Sequence, residues 1–244
     1  MTKPLLIWQP DIFPDKEKEI AAKYFSIEEY DGISTYFPNE IGGPFAMRGA
    51  VATATRLGLN IDRFNCQKWV PWLSEHMISK NFWWDIPERI QNISSIVWPI
   101  FIRPDSCKKL FAGQAYTCDK WAEEFSFLKQ RNGEKILAFC ANQEWIGREW
   151  RCLFVGQELV GISDYMYEGE ILDNPARTNI TDDLIFLAHK IRNNDYFSPE
   201  DNVTIDIGQK SDGSYGLVEI NFLETSGWYA CDAELIYAAL AKQF

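Results

Sequence analysis

The stretch Val203-Thr-Ile-Asp-Ile207 … Gly216-Leu-Val-Glu-Ile-Asn-Phe222 decides how this chain is read. Its two apolar runs are split by Lys210-Ser-Asp-Gly-Ser214, a composition that predicts a hairpin loop. Strand side chains alternate between faces. Val203, Ile205 and Ile207 therefore share one face, with Thr204 and Asp206 on the other. In the second run Val218, Ile220 and Phe222 share a face, and Glu219 and Asn221 point together to the opposite one. Residues two apart on a strand are separated by roughly 6.6 Å. Glu219 and Asn221 can thus reach one small object, and Asp206 can join them if the strands pair. Oxygen donors of this kind suit a hard cation such as magnesium, which keeps waters for a phosphate. A sheet with a polar solvent face is the plain alternative, and for a single acidic residue it would be the better account.

With 244 residues, 46% of them apolar, the chain can build one large or two small domains with a sizeable core. A net charge of −11 and no basic stripe argue against a nucleic-acid partner. ATP, which needs only a few local cations, stays open. No apolar run approaches the ~20 residues that span a bilayer, and Met1-Thr-Lys-Pro-Leu-Leu-Ile-Trp8 reads as a first strand, not a signal peptide. Cys66, Cys107, Cys118, Cys140, Cys152 and Cys231 are scattered without zinc spacing, so free thiols in a cytoplasmic protein are expected.

Along the chain, Asp15 to Tyr24 predicts a surface helix and Ile41 to Gly49 a glycine-rich loop, followed by a helix over Ala50 to Leu57. A helix start after glycine can receive an anion, although a plain connection is the more ordinary reading. Phe64 to Trp84 is aromatic and helix-like, suited to packing. Ile96 to Pro104 reads as a buried strand ending in Arg103-Pro104. Asp105 to Gly113 then reads as a loop with two lysines, able to cover a triphosphate or to be an ordinary hairpin. Helices are expected over Trp121 to Lys129, Thr181 to Arg192 and Ala233 to Lys242. Strands are expected over Lys135 to Cys140, Trp150 to Val155 and Leu159 to Tyr165. Arg151, inside an apolar strand, needs an anionic partner: either Glu149 or Asp164, or a substrate phosphate or carboxylate.

Six ordered segments carry a resemblance over nearly the whole chain: Phe101-Ile-Arg-Pro-Asp-Ser106, Lys109-Leu-Phe-Ala-Gly113, Ile146-Gly-Arg-Glu-Trp-Arg151, Ser163-Asp-Tyr165, Ile205-Asp-Ile207, and Glu219-Ile-Asn221 running into Gly227-Trp-Tyr-Ala-Cys-Asp232. The sequence resembles the ATP-grasp superfamily, in particular a clade of phages and bacteria marked by two arginines and one lysine. The resemblance implies an α+β ATP-grasp fold, two subdomains gripping ATP over 95–244, preceded by a small α/β domain over 1–94. It implies ATP and Mg2+ as cofactors. Asp206, Glu219 and Asn221 would hold the metal, and Arg103 and Lys109 the phosphates. Gln143 and Glu144 would meet adenine, and Glu149 the ribose. Arg151 would hold the transferred phosphoryl group. Arginine stands at position 103 where many members have lysine, and the loop over Asp105 to Gly113 is poor in glycine, which leaves its closure open.

Such ligases phosphorylate a carboxylate, and an amine or thiol then attacks the acyl phosphate; no serine, cysteine or histidine nucleophile is needed. The expected activity is carboxylate–amine (or thiol) ligation, with a peptide, protein or small molecule modified. The alternatives are a non-catalytic ATP-binding module and a kinase that stops after phosphoryl transfer. Arg48, Trp228 and Tyr229 are candidate substrate contacts near Ser226-Gly227, or else an ion pair and core. The oligomeric state is not legible.

Overall fold

A computed structural model describes residues 3–33, 43–93, 95–107, 110–131, 137–142 and 146–244. Lys109, Gln143 and Glu144 lie outside the described residues.

The chain opens with β1 (Leu5–Trp8), α1 (Asp15–Ala21), β2 (Ser26–Glu29) and β3 (Phe45–Arg48), which form a parallel sheet in the order β2-β1-β3. Parallel pairing needs a crossover, and α1 supplies it between β1 and β2. The sequence places Phe45–Arg48 within a loop. Its apolar Ala46 and Met47 are instead buried beside β1, and the pairing with β1 overrides the flanking glycines.

Next come α2 (Val51–Arg56), α3 (Cys66–Leu73), β4 (Phe82–Asp85) and α4 (Pro87–Asn92). The aromatic run expected to be helical from Phe64 to Trp84 ends as a strand. Phe82 and Trp84, two apart, lie on one strand face and both pack on Phe139, with ring centroids 5.8 and 5.5 Å away. β4 joins β5 (Ile100–Pro104), β6 (Gln114–Tyr116) and β7 (Ala138–Asn142) in an antiparallel sheet ordered β4-β7-β5-β6, backed by α5 (Cys118–Arg131). Phe82–Asp85 lies before the boundary expected at 94/95, yet it hydrogen-bonds with strands beyond it.

The third sheet is antiparallel, ordered β10-β9-β8-β11-β12: β8 (Ile146–Val155), β9 (Glu158–Tyr167), β10 (Glu170–Ala176), β11 (Val203–Lys210) and β12 (Tyr215–Phe222). α6 (Asp182–Arg192) starts at Thr181, whose hydroxyl accepts from the Leu184 N–H, and α7 (Ala233–Ala241) starts at Asp232, which accepts from Glu234 N–H. Both are side-chain caps that satisfy a free helix N–H. The largest apolar core runs from Ile7 and Met47 through Trp69 and Trp150 to Ile205 and Ile220. It therefore joins all three sheets.

The expected alternation holds along β11 and breaks in β12. Asp206 faces Glu219 across the ladder, but Ile207 faces Leu217, so Val218 is an extra residue in a β-bulge. Leu217 and Ile220 both enter the core, while Val218 turns to the side of Glu219 and lines the same cavity. The face shared by Val218, Ile220 and Phe222 in an unbroken strand is thus not formed.

Candidate functional site: a cleft between two sheets

β5 and the loop after it face the five-stranded sheet across a cavity of about 510 Å³. One wall carries Phe101, Arg103, Phe111 and Gly113. The other carries Glu149 and Arg151 from β8, Tyr165 from β9, Val218 and Glu219 from β12, and Tyr229. Gly113 is in place because Arg103 passes over it: a Cβ there would sit 3.0 Å from the Arg103 Cβ.

Arg103 is nearly buried, and its Nη2 donates to Glu219 Oε1 at 2.7 Å, bridging the two sheets. Arg151 is buried and grips Asp206 in a fork, Nε to Oδ1 at 2.8 Å and Nη2 to Oδ2 at 2.7 Å. Its Nη1 donates to the Gly227 carbonyl at 3.2 Å. The partner expected for Arg151 was Glu149, Asp164 or a substrate anion. It is Asp206, directly opposite on β11, while Asp164 is taken by Arg148 and Thr178. The guanidinium lies beside the Tyr165 and Tyr229 rings, 4.9 and 5.1 Å from their centroids, and those rings stack on each other at 4.8 Å. Tyr229 holds this place with φ +51°, a left-handed backbone that costs a non-glycine residue energy.

The Tyr165 hydroxyl lies 3.1 Å from Glu149 Oε2 and 3.3 Å from Asp206 Oδ2. Burial pushes the Glu149 carboxyl up to about 7; the Asp206 charge adds to this and the Tyr165 hydrogen bond opposes it. A carboxyl so placed holds its proton near neutrality and can donate a hydrogen bond.

Asp206 and Glu219 face each other on one rung of the β11–β12 ladder, and Asn221 lies two rungs along, opposite Thr204. Among the described residues no group of three or more His, Cys, Asp or Glu forms a metal cage, so any oxygen set here depends on the Asn221 amide. Arg151 uses one lone pair on each Asp206 oxygen and Tyr165 another on Oδ2. A carboxylate offers about four such sites, so Oδ1 keeps acceptor capacity. Glu219 and Asn221 add a carboxylate and an amide oxygen, the donor types that magnesium takes. Asn221 is buried, and its Nδ2 has no hydrogen-bond partner among the described residues.

A second cavity of about 250 Å³ lies behind Arg151, between α2, the single turn Ile61–Phe64 and the end of β12. Arg151 and Tyr229 line both cavities. Two expected substrate contacts are not available to it. Arg48 is 1% exposed, donates to Glu17 and to the carbonyls of Glu224 and Ser226, and lies between the Phe13 and Trp228 rings. Trp228 is buried against Tyr237, its indole N–H bonded to the Leu223 carbonyl. Both hold the Ser226-Gly227 loop to β3 and α7. Tyr229 alone of the three reaches the cavities. Tyr165 is a site residue that the sequence reading does not single out; its place in the quoted segment Ser163-Asp-Tyr165, on the strand beside Arg151, was the available signal.

The family model for an ATP-grasp domain, family 3 of its clade, matches residues 42–240. The chain belongs to this ATP-grasp family. No curated protein matches it by sequence. Its fold is similar to several solved structures. The RimK domain ATP-grasp protein from Sphaerobacter thermophilus is 14% identical, with a TM-score of 0.67 over 97% of this chain and 98% of that one. The D-cycloserine synthetase DcsG is 11% identical, with a TM-score of 0.67 over 98% and 99%. The ATP-grasp ligase PsnB, solved with a phosphomimetic variant of its minimal precursor, Mg and ADP, is 13% identical, with a TM-score of 0.62 over 100% and 99%. The ATP-grasp architecture puts the cleft between the two antiparallel sheets, where the cations and acidic residues gather.

Proposed function

We propose that this ATP-grasp protein is an ATP-dependent ligase joining a carboxylate to an amine or thiol through an acyl phosphate. One observation carries the reading: Arg151 and Tyr229 stand in the partition between a cleft of about 510 Å³ and a smaller pocket of about 250 Å³. A nucleotide in the first and a carboxylate in the second would meet at the arginine. Membership of the ATP-grasp family and the fold shared with PsnB and DcsG support it.

Bound ATP with Mg2+ supplies the phosphoryl group. The chain's own residues position and neutralise. Arg103 and Arg151 meet phosphate charge with the guanidinium N–H groups not already given to Glu219, Asp206 and Gly227; Lys109 is assigned the same role from sequence. Glu219, Asn221 and the remaining lone pair of Asp206 are assigned to the metal. Glu149, carrying its proton, donates to a ribose hydroxyl or phosphate oxygen, and Gln143 and Glu144 are assigned to adenine. The carboxylate oxygen attacks the γ-phosphorus and ADP leaves. The amine nitrogen then attacks the acyl carbon, phosphate departs with its bridging oxygen, and the amine gives up a proton to water. Catalysis of this kind rests on orientation and charge screening.

Product analysis tests the proposal. ADP and phosphate appearing only when carboxylate and amine pools are both present support a ligase. ADP with a stable phosphorylated acid means a kinase, and tight ATP binding without ADP under any pool means a binding module.

A further inference from the structure

Resting on the ligase reading, we infer that the 250 Å³ pocket behind Arg151 is the acid site, and that its acid is a small monocarboxylate with an apolar tail. The walls are Val51, Ile61, Phe64 and Phe222, aliphatic and aromatic faces from α2, the turn after it and β12. The polar atoms at its inner end decide the sign of the ligand. Among the described residues, Arg151 is the only charged one lining the pocket, and no Asp or Glu lines it. The hydroxyls of Thr225 and Ser226 are already committed to the Phe222 carbonyl, at 3.3 and 2.8 Å. What remains is mainly donors: Asn221 Nδ2, buried and unpartnered among the described residues, and the N–H groups of Arg151 not used by Asp206, Gly227 and the Tyr229 hydroxyl.

A buried donor without an acceptor is costly, and a ligand acceptor repairs it. A carboxylate accepts from both groups. An ammonium in the same place would face the Arg151 guanidinium, with no carboxylate lining the pocket to pair with it. A second carboxylate on the acid would lie among Ile61, Phe64 and Phe222 without a partner, which the burial cost of charge opposes. The volume falls just below the ~300–1,000 Å³ of small-molecule sites, so a single small acid or one inserted side chain fills it. The amine therefore arrives by another route, and the pocket selects the acid.

Hydroxylamine replaces the unknown amine in the test. It attacks an acyl phosphate at carbon, releases phosphate and leaves a hydroxamate that can be weighed. The full-length protein is incubated with MgATP, hydroxylamine and a panel of acids: straight and branched aliphatic, aryl, dicarboxylic, and cationic. Hydroxamates are expected from the small apolar monocarboxylates. Val51→Trp should raise their KM about tenfold or more with ATP affinity unchanged, because it fills the pocket and not the nucleotide cleft. Ile61→Ala should shift the preferred tail to a longer one. Hydroxamates made equally well from dicarboxylic or cationic acids, or a tail preference that neither variant moves, would overturn the pocket assignment and leave the ligase standing. No hydroxamate from any acid, with ATP binding intact, overturns the ligase reading and this site with it.

Discussion

Asp206 meets two demands at once. It is 1% exposed, grips Arg151, and is assigned to the metal by the family resemblance. Removing Arg151 therefore does more than remove a phosphate contact: it strands a buried carboxylate. Arg151→Ala and Asp206→Ala are each expected to destabilise the protein by about 3–5 kcal/mol, and the double variant by clearly less than their sum. Urea unfolding of the four proteins measures this, and additive losses would mean the pair is not coupled. The pair was not legible beforehand because β8 and β11 become neighbours only through the sheet order, 55 positions apart in the chain. Glu149 gives the second prediction. Its folded carboxyl titrates near 7, raised from 4.5 chiefly by burial. Between those values the unfolded chain has lost the proton and the folded one has kept it, so this residue's contribution to stability falls as pH rises from about 4.5 to 7. Glu149→Gln should gain stability relative to wild type across that window and flatten above it. Parallel unfolding series from pH 4.5 to 8 will check it; a difference independent of pH would count against a neutral Glu149.

At the scale of elements, the paired strands β11 and β12 were readable because apolar residues alternate with Thr204, Asp206, Glu219 and Asn221. The bulge at Val218 was not, since it shows only once two strands are in register. β10 was missed because Glu-Ile-Leu-Asp-Asn-Pro-Ala carries no alternation and three turn-forming residues; an edge strand tolerates them. β12 also receives the chain from outside its own sheet. Ile78 N–H donates to the Leu217 carbonyl at 2.9 Å, and Met77 bridges Leu217 in parallel. Gly216 makes this crossing possible: a Cβ there would lie 2.6 Å from the Ile78 Cα, a backbone atom that has no rotamer to escape by. Gly216→Ala is expected to cost about 2 kcal/mol or more, at the upper end of ordinary substitutions. Val218→Ala, a half-buried residue on the cleft side, should cost about 1 kcal/mol or less. Denaturant midpoints for the two variants give the comparison; equal losses would remove the crossing from the account.

For the whole molecule, the α+β class and the ATP-grasp architecture are legible from six ordered segments, and the division at 94/95 is what that resemblance implies. The packing crosses that line. β4 pairs with β7, Met77 and Ile78 close on β12, and one core includes Ile7, Trp69, Phe139 and Ile220. Residues 95–244 produced alone are expected to lack a cooperative thermal transition, and a sharp transition in that fragment would restore the boundary as a folding unit. Arg48, a salt-bridged clamp rather than a substrate hand, belongs to the same continuity: it ties β3 to α1 and to the Ser226-Gly227 loop. That clamp holds the partition in which Arg151 and Tyr229 separate the two cavities. The direct test of what crosses the partition is isotopic. With an acid that yields hydroxamate, both carboxylate oxygens are replaced by oxygen-18 and the released phosphate is weighed. Transfer of the γ-phosphoryl group to the carboxylate predicts one labelled oxygen in each phosphate formed with product. Phosphate released without label, at a rate matching ADP, would contradict the acyl-phosphate ligase.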